Sequence, residues 1–263
     1  MLVRTSTALL AFLMAGIVPL NGQNQPPIVD TAALISTDRP AVTASSVVVP
    51  AGSLQVENGF LETSNHGQNV VDAPESLLRF GLAKKTELRF TAPDYFNNLT
   101  TGNDVGSGFG DLAFGVKQQI GPVHGFDVSV IAFISLPTGA NGVSSGGYDP
   151  GLQVPWSRAL PANWTAAGMF SVYWPTQRRT RNVTGETTFL LDRQLTKPWD
   201  AFVEYVGDFP EVGGPRHLLH FGTAVKIAPQ QQIDFHVGVG LSSAAVDHLI
   251  GVGYSFRFQA IGR

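Results

Sequence analysis

Near its C-terminus the chain reads QQIDFHVGVG at 231–240 and LIGVGYSFRF at 249–258, with a polar loop between the two runs. Apolar residues alternate in both runs with polar residues or glycine, as Ile233 and Phe235 do with Asp234. Successive side chains of a β-strand point to opposite faces, so each run has one apolar face and one polar or glycine-lined face. The stretch predicts the hairpin that closes a membrane β-barrel, with aromatic residues along its apolar face.

The composition is that of a glycine- and aromatic-rich β protein. The 263 residues include 29 glycines and 17 phenylalanines, but only 14% are charged and none is cysteine. Barrels of this length commonly form a single domain. The net charge of −3 comes without a basic stripe, which argues against nucleic-acid binding. The absence of cysteine excludes disulfides, thiolate metal sites and a lipidated N-terminal cysteine.

Residues 1–22 have the pattern of a secretory signal peptide. Arg4 supplies the positive charge and an apolar run follows at 8–20, which Pro19 interrupts before it is long enough to span a bilayer comfortably. A membrane anchor is the alternative. Residues 23–49 are rich in Pro, Ser, Thr and Ala with little periodicity, and we interpret them as an N-terminal periplasmic or plug-like segment. This leaves 50–263 for the barrel.

From residue 50 onward, alternating runs recur with turn signals between them. About twelve are predicted, and most have the roughly 9–11 residues that a tilted strand needs to cross a bilayer. Their ranges are 52–63, 76–83, 86–92, 109–120, 126–136, 150–159, 164–174, 183–194, 199–207, 216–228, 231–240 and 249–258. The predicted fold class is therefore all-β, an antiparallel transmembrane β-barrel of about 12 strands of the outer-membrane type.

The connections between these runs alternate in length. Short links at 84–85, 121–125, 160–163, 195–198 and 229–230 are separated by longer links at 64–75, 93–108, 137–149, 175–182, 208–215 and 241–248. Outer-membrane barrels have short periplasmic turns and longer outer loops. The alternation predicts a location in the outer membrane of a Gram-negative bacterium, with both termini periplasmic.

The charged residues of the runs fall almost entirely on one face. A charge that faces lipid at the bilayer midplane costs about 2–4 kcal/mol, so we take the apolar face as the outer one. Arg158 and Arg193 then point outward, near the predicted periplasmic end, where a long side chain reaches the headgroups. The residues predicted to point inward, as candidates to line a pore, are Glu57, Arg79, Glu87, Arg89, Asp111, Lys117, Asp127, Glu186, Asp192, Asp200, Glu204, His220, Lys226, Asp234, His236 and Arg257.

The inward set permits two interpretations. It holds five basic and nine acidic residues, 5 − 9 = −4, which predicts a mild cation preference if these residues line a pore. An internal salt-bridge network that fills the barrel is an equal alternative. The glycines at 238, 240, 251 and 253 also face inward, and they leave room for a ligand or for close packing by the N-terminal segment, which we favour.

Three motifs resemble a known family. Residues 37–60 read TDRPAVTASSVVVPAGSLQVENGF, residues 107–120 read SGFGDLAFGVKQQI, and residues 134–139 read ISLPTG. In order and spacing they are similar to the outer-membrane transporter family named after the meta-cleavage pathway of phenol degradation, over about residues 36–258. The resemblance implies an outer-membrane barrel that passes hydrophobic or aromatic small molecules.

We therefore expect a channel or transporter for small molecules, without catalysis, cofactor or metal. The expected partners are outer-membrane lipid and lipopolysaccharide, a small-molecule cargo and the barrel-assembly machinery, with no nucleic acid. One alternative is a non-conducting structural or adhesion barrel. A second is a barrel lipid hydrolase that uses His220, Asp234, His236 and Ser255, although no nucleophile elbow is present. A soluble β-sandwich or lipocalin would also show alternation.

Overall fold

The computed structural model describes residues 34–100, 106–177 and 179–261. The predicted signal peptide at 1–22 and residues 23–33 of the predicted N-terminal segment lie outside these ranges. In the described part of the chain, no helix has the length and apolarity to cross a bilayer. The strands are β1 (Ser53–Asn65), β2 (Gln68–Ala73), β3 (Leu77–Ala83), β4 (Thr86–Thr91), β5 (Tyr95–Asn98), β6 (Gly108–Phe109), β7 (Leu112–Gln119), β8 (Asp127–Leu136), β9 (Asp149–Leu160), β10 (Trp164–Tyr173), β11 (Thr176–Gln177), β12 (Thr180–Arg181), β13 (Thr184–Gln194), β14 (Trp199–Pro210), β15 (Arg216–Ala228), β16 (Gln231–Gly240) and β17 (His248–Gln259).

Twelve of these strands form a closed antiparallel wall. Its order is β17-β16-β15-β14-β13-β10-β9-β8-β7-β4-β3-β1, and β1 pairs with β17 to complete the ring. The closing register runs from Ser53 opposite Gln259 to Ser64 opposite His248. A closed sheet leaves no edge and pairs the backbone polar groups of every wall strand. The predicted fold class is confirmed, and the predicted strands match the wall strands to within a few residues at each end.

Between residues 64 and 111 the sheet contains more strands than the sequence predicted. The links expected at 64–75 and 93–108 are not plain loops, because they contain β2, β5 and β6, which continue the sheet beyond β3, β4 and β7. These strand pairs are interrupted at about the same height of the barrel wall, at 74–76, 92–94 and 110–111. Pro74 and Pro93 stand at two of the breaks, and proline has no N–H to donate to a ladder. Single backbone hydrogen bonds still bridge the breaks, such as Gly59 N to Pro74 O at 2.6 Å.

The wall is apolar outside and polar inside. Arg79, Lys117 and Glu204 have no exposed surface, whereas Phe114 is 48% exposed and Phe189 is 47% exposed. A water-soluble fold buries its large apolar side chains and exposes its charges, which is the opposite distribution. This inverted burial excludes the soluble sandwich and lipocalin alternative and agrees with the predicted register.

Aromatic residues and the two outward arginines meet on the outer surface, near the short turns. The Arg158 guanidinium lies 4.9 Å from the centre of the Phe126 ring. The Arg193 guanidinium lies 5.3 Å from the centre of the Trp164 ring. Aromatic rings with neighbouring basic side chains are typical of the level where a barrel meets lipid headgroups.

Candidate functional site in the barrel lumen

Residues 35–49, which we call the lumenal segment, lie inside the barrel. The segment enters at the end with the short turns, where Ile35 N donates to Pro229 O at 2.9 Å. It returns to the wall at Val49, whose N–H donates to the Glu87 carboxylate at 2.8 Å. Thr43 and Ser46 at its centre are 6% and 5% exposed. The lumen is therefore occupied by the chain's own polypeptide, held mainly by side chains of the wall.

Glu57, on β1, holds the first turn of the lumenal segment. Its Oε2 accepts the backbone N–H groups of Asp38 and Arg39 at 2.9 and 3.0 Å. Its Oε1 accepts from Gln55 at 2.7 Å and from Arg79 at 3.0 Å. A buried carboxylate needs such donors to replace the water it has lost. This wall residue therefore depends on the segment for two of its hydrogen bonds.

The Asp38 side chain lies in a charge cluster on β1, β3, β4 and β7. Arg79 and Arg89 approach it at 3.0 and 2.5 Å, and Lys117 lies 3.5 Å away. With Glu57 and Glu87 the cluster holds three acids and three bases, so it has no net charge. Burial opposes ionisation of Asp38, but the three bases outweigh it and hold the pKa of Asp38 well below its usual range. Asp38 is thus an anion at any physiological pH.

Glu204, on β14, holds the middle of the lumenal segment. Its carboxylate accepts Val42 N at 2.9 Å, Thr43 N at 2.7 Å and the Thr43 hydroxyl at 2.6 Å. His220 Nδ1 lies 2.8 Å from Glu204 Oε2, the oxygen that also accepts Val42 N, and His220 Nε2 lies 2.9 Å from His236 Nδ1. The two histidines, on the adjacent strands β15 and β16, thus link Glu204 to Arg39, because His236 Nε2 lies 3.4 Å from the Arg39 guanidinium.

Arg39 connects the lumenal segment to β16, β17 and β1. Its guanidinium contacts Glu75 at 2.5 Å and Asp234 at 3.4 Å. It lies over bare backbone, because a Cβ placed on Gly59 would be 2.3 Å from Arg39 Cζ and one on Gly253 would be 2.5 Å from Arg39 Nε. These facing glycines, paired in register, form a slot for the arginine. Gly253, one of the four inward glycines, therefore makes room for the N-terminal segment, the interpretation that we favoured from the sequence.

The structure divides the sixteen inward candidates into those that touch the lumenal segment and those that do not. In contact with it are Glu57, Arg79, Glu87, Arg89, Lys117, Glu204, Asp234 and His236. His220 acts through Glu204 and His236, while Glu186 accepts from Tyr173 at 2.5 Å in the half nearer the long loops. Lys226 pairs with Asp200 at 2.6 Å, and Arg257 donates to Gln230 at 2.6 Å. Asp192 and Asp127 complete the inward rows of β13 and β8 near the short turns.

Asp111 has a different role from the rest of the set. It lies in the break between β6 and β7, and its carboxylate accepts Gly139 N at 2.8 Å and Ser145 N at 3.0 Å. Although burial acts in the opposite direction, these hydrogen bonds lower the pKa of Asp111. Asp111 therefore organises the loop after β8 and makes no contact of this kind with the lumenal segment.

Three residues that hold the segment in place were not predicted as site residues, although all three lie in the family motif at 37–60. Asp38, Arg39 and Thr43 lie in a stretch without periodicity, so no register could be assigned to them. A signal was available, since Asp38 and Arg39 are the only charged residues between 31 and 49. Two adjacent opposite charges in an otherwise uncharged segment indicate partners elsewhere in the fold.

The described residues line a cavity on each side of the lumenal segment. The inner cavity, about 290 Å³, lies between the lumenal segment and the short-turn end, and its wall includes Leu190, Asp192, Phe202 and Lys226. The outer cavity, about 310 Å³, is lined only by residues of the wall, on β4, β7, β8 and β9, among them Arg89 and Phe133. The lumen therefore contains open space as well as the ordered segment.

These features define an outer-membrane-type β-barrel with a polar lumen that its own N-terminal segment occupies. The model of the family described as "Putative MetA-pathway of phenol degradation" matches residues 37–258. The chain belongs to this family, as the motifs at 37–60 and 107–120 predicted. No curated protein matches the chain.

Solved structures with the same fold are outer-membrane proteins. An outer-membrane channel from Pseudomonas putida has a TM-score of 0.66 at 11% identity, covering 83% of this chain and all of that one. The NanC porin has a TM-score of 0.56 at 10% identity, covering 77% of this chain and 98% of its own. The KdgM porin, also solved in complex with disordered oligogalacturonate, has a TM-score of 0.55 at 10% identity in that complex, covering 78% and 99%. At these identities the similarity shows a common fold and nothing more specific.

Proposed function

We propose that the protein is an outer-membrane channel for small molecules, and that the channel is closed while the lumenal segment lies inside the barrel. The observation that carries the proposal is the way in which the lumen is filled. A separate stretch of chain, not the side chains of the wall alone, crosses it, and the wall holds that stretch through the buried carboxylates Glu57 and Glu204. Side-chain hydrogen bonds of this kind can be exchanged for water without breaking any strand pairing.

The size of the barrel supports the same function. Eight-stranded barrels are filled by side chains, whereas porins with sixteen strands hold a water-filled channel. Twelve strands lie between these limits, so a narrow passage is expected once the lumenal segment moves aside. The inner and outer cavities already provide space on the route. The channel and porins of similar fold are consistent with a role in passage across the membrane.

The non-conducting structural barrel is the second candidate, and the balanced cluster around Asp38 favours it. Three acids and three bases in mutual contact resist separation, because removing one partner leaves buried charge behind. Hydrolysis has less support. Ser255 Oγ is buried and has no hydrogen-bond partner among the residues that the structure describes, so His236 does not activate it there. We therefore propose no catalytic role.

The proposed orientation places both described ends of the chain on the periplasmic side. Ile35 contacts the turn before β16, and Ala260 N donates to Gly52 O at 2.8 Å at the same end of the barrel. The connections at this end are the short ones, as expected for periplasmic turns. The arginines beside Phe126 and Trp164 would then lie at the inner-leaflet headgroups, and the long loops would face lipopolysaccharide.

The proposed cargo is a small hydrophobic or aromatic molecule, as the family resemblance implies. Phe133 in the outer cavity and Phe202 in the inner cavity provide aromatic surface on both sides of the lumenal segment. Aromatic side chains offer apolar area with little loss of conformational entropy. The barrel would reach the outer membrane through the barrel-assembly machinery.

A reversible cysteine latch tests the closing role of the segment, because the native chain has no cysteine. Ser46 Oγ and Ser157 Oγ lie 2.7 Å apart, one on the segment and one on β9. In the Ser46→Cys/Ser157→Cys variant we expect oxidation to abolish conductance in a planar bilayer and a reductant to restore it. The Ser46→Cys single variant is the matched control. Equal conductance of the oxidised and reduced double variant would refute closure by the segment, and a protein silent in every form would favour the structural barrel.

A further inference from the structure

The inner cavity has a carboxylate on its wall. Asp192, on β13, lies on its wall, and no hydrogen bond or ion pair joins this side chain to any residue that the structure describes. The lumenal carboxylates Glu57, Glu87 and Glu204 each accept several hydrogen bonds, so Asp192 differs from them. A partly desolvated carboxylate beside open space favours a positively charged occupant.

The charges near Asp192 do not compensate it. Asp200 and Lys226 are its charged neighbours, and they pair with each other at 2.6 Å. With all three groups ionised, they carry one net negative charge, since two acids face one base. Asp38 and Arg39 also border the cavity, but both are engaged with wall residues of opposite charge. One unit of positive charge would therefore neutralise the wall of the inner cavity.

Part of the remaining wall of the inner cavity is apolar, and serine, threonine and glutamine side chains line the rest. Leu190 and Ala167 lie on the adjacent strands β13 and β10, and Phe202 and Ala224 lie on β14 and β15. The Phe202 ring covers the bare backbone of Gly222, where an added Cβ would be 2.3 Å from the ring. An occupant would therefore present an apolar surface to these residues. The volume of about 290 Å³ suits a small molecule and is too small for a drug-sized ligand.

From this combination we propose that the inner cavity binds a small organic cation, a protonated amine on an apolar body about the size of one ring, with Asp192 as its counter-ion. The ammonium group lies against Asp192, and the ring lies against Leu190 and Phe202. As an account of cargo this inference rests on the proposed channel function, but the binding itself does not require conduction.

Calorimetric titration of the purified, refolded barrel with benzylammonium chloride tests the site, with benzyl alcohol as the uncharged analogue. We expect saturable binding of the cation and much weaker binding of the alcohol. Asp192→Asn should weaken cation binding about tenfold or more, because it removes the counter-ion in a partly desolvated site. Lys226→Gln should strengthen it, because this change removes the competing ammonium and releases Asp200.

Asp127→Asn is the matched control, since Asp127 lies at the same end of the barrel and faces inward from β8 without lining the inner cavity. It should leave binding within about twofold of wild type. If Asp127→Asn and Asp192→Asn weakened cation binding equally, the binding would reflect only a general attraction of the cation to the acidic end of the barrel, and the proposed site would be overturned. Equal affinity of the wild type for benzylammonium and benzyl alcohol would overturn it as well. Heat-modifiable gel mobility confirms that each variant is folded. Binding without conductance would sustain the site and refute the channel, and conductance without binding would do the reverse.

Discussion

Glu204→Gln should release the lumenal segment from the wall while leaving the barrel intact. Glu204 has no exposed surface, and its carboxylate has two backbone donors, Val42 N at one oxygen and Thr43 N at the other. Glutamine has nearly the same shape, but one of its two terminal atoms is an NH₂ group. The substitution therefore tests hydrogen bonding and charge with little change in packing.

The size of the effect follows from which donors can adapt. The Thr43 hydroxyl can rotate to accept from the NH₂ group, and the His220 ring can change tautomer, but a backbone N–H cannot reverse its role. In either orientation of the amide, one backbone N–H of the segment faces a donor and stays unpaired, at about 1–3 kcal/mol. The surviving bonds also lose their charge assistance. We expect a loss of about 2–3 kcal/mol, or about 30- to 150-fold in the ratio of seated to released segment.

Labelling of a cysteine at position 46 measures this ratio. Ser46 is 5% exposed in the seated segment, so Ser46→Cys should react with a maleimide only when the segment is released. If the segment reseats faster than it is labelled, the labelling rate is proportional to the released fraction. Glu204→Gln should raise that rate about 30- to 150-fold. Glu211→Gln is the control, because Glu211 accepts a backbone N–H, from Val183 at 2.9 Å, but is exposed outside the lumen. Rates within about twofold of each other in the two variants would refute the anchoring role of Glu204.

Three other substitutions probe other parts of the fold. Asp38→Asn should also raise labelling at position 46 and conductance. Because the pKa of Asp38 is lowered in the fold, its ionised carboxylate stabilises the seated segment at any pH above the unfolded value of about 3.9. This contribution is lost only as the pH falls toward the lowered pKa, so the effect of Asp38→Asn on labelling should be the same at about pH 5 and about pH 7. Gly253→Ala should displace Arg39 and raise the same labelling rate, since its Cβ would be 2.5 Å from Arg39 Nε, whereas Gly185→Ala meets nothing within 4 Å and should have no effect. Val203→Lys places a charge on the lipid face of β14. It should lower the free energy of unfolding of the barrel in lipid vesicles by about 2–4 kcal/mol, measured by urea titration. An unchanged urea midpoint would contradict the outward direction of residue 203.

The wall was predictable because its information is local. In 231–240 the alternation of apolar and polar residues fixes the strand, its two faces and its predicted bounds, which match β16. The break at Pro74 was not predictable in the same way. A proline in a short run is typical of a loop, and only pairing with β1 shows that the strand resumes on both sides of it.

The contents of the lumen were less predictable because the contacts that hold them are distant in sequence. Thr43 and Glu204 are 161 residues apart, and nothing in either neighbourhood identifies the other. The inward direction of Glu204 followed from strand alternation, but its partners are backbone amides, which every residue except proline carries. A sequence pattern therefore predicts that a carboxylate points into the lumen, but the identity of its donors requires the fold.

Under the proposed function, the two interpretations of the inward charges, a pore lining and an internal network, apply to one set of residues in two states. With the lumenal segment seated, the carboxylates of Glu57 and Glu204 accept hydrogen bonds from its backbone N–H groups and serve as anchors. Under the proposed function, release of the segment removes one acid and one base, Asp38 and Arg39, so the wall keeps its excess of acidic residues and favours cations. Opening and selectivity cannot be separated by mutating the anchors, because each substitution changes both. They can be separated at Asp192, which contributes to the charge of the wall without a hydrogen bond to the segment.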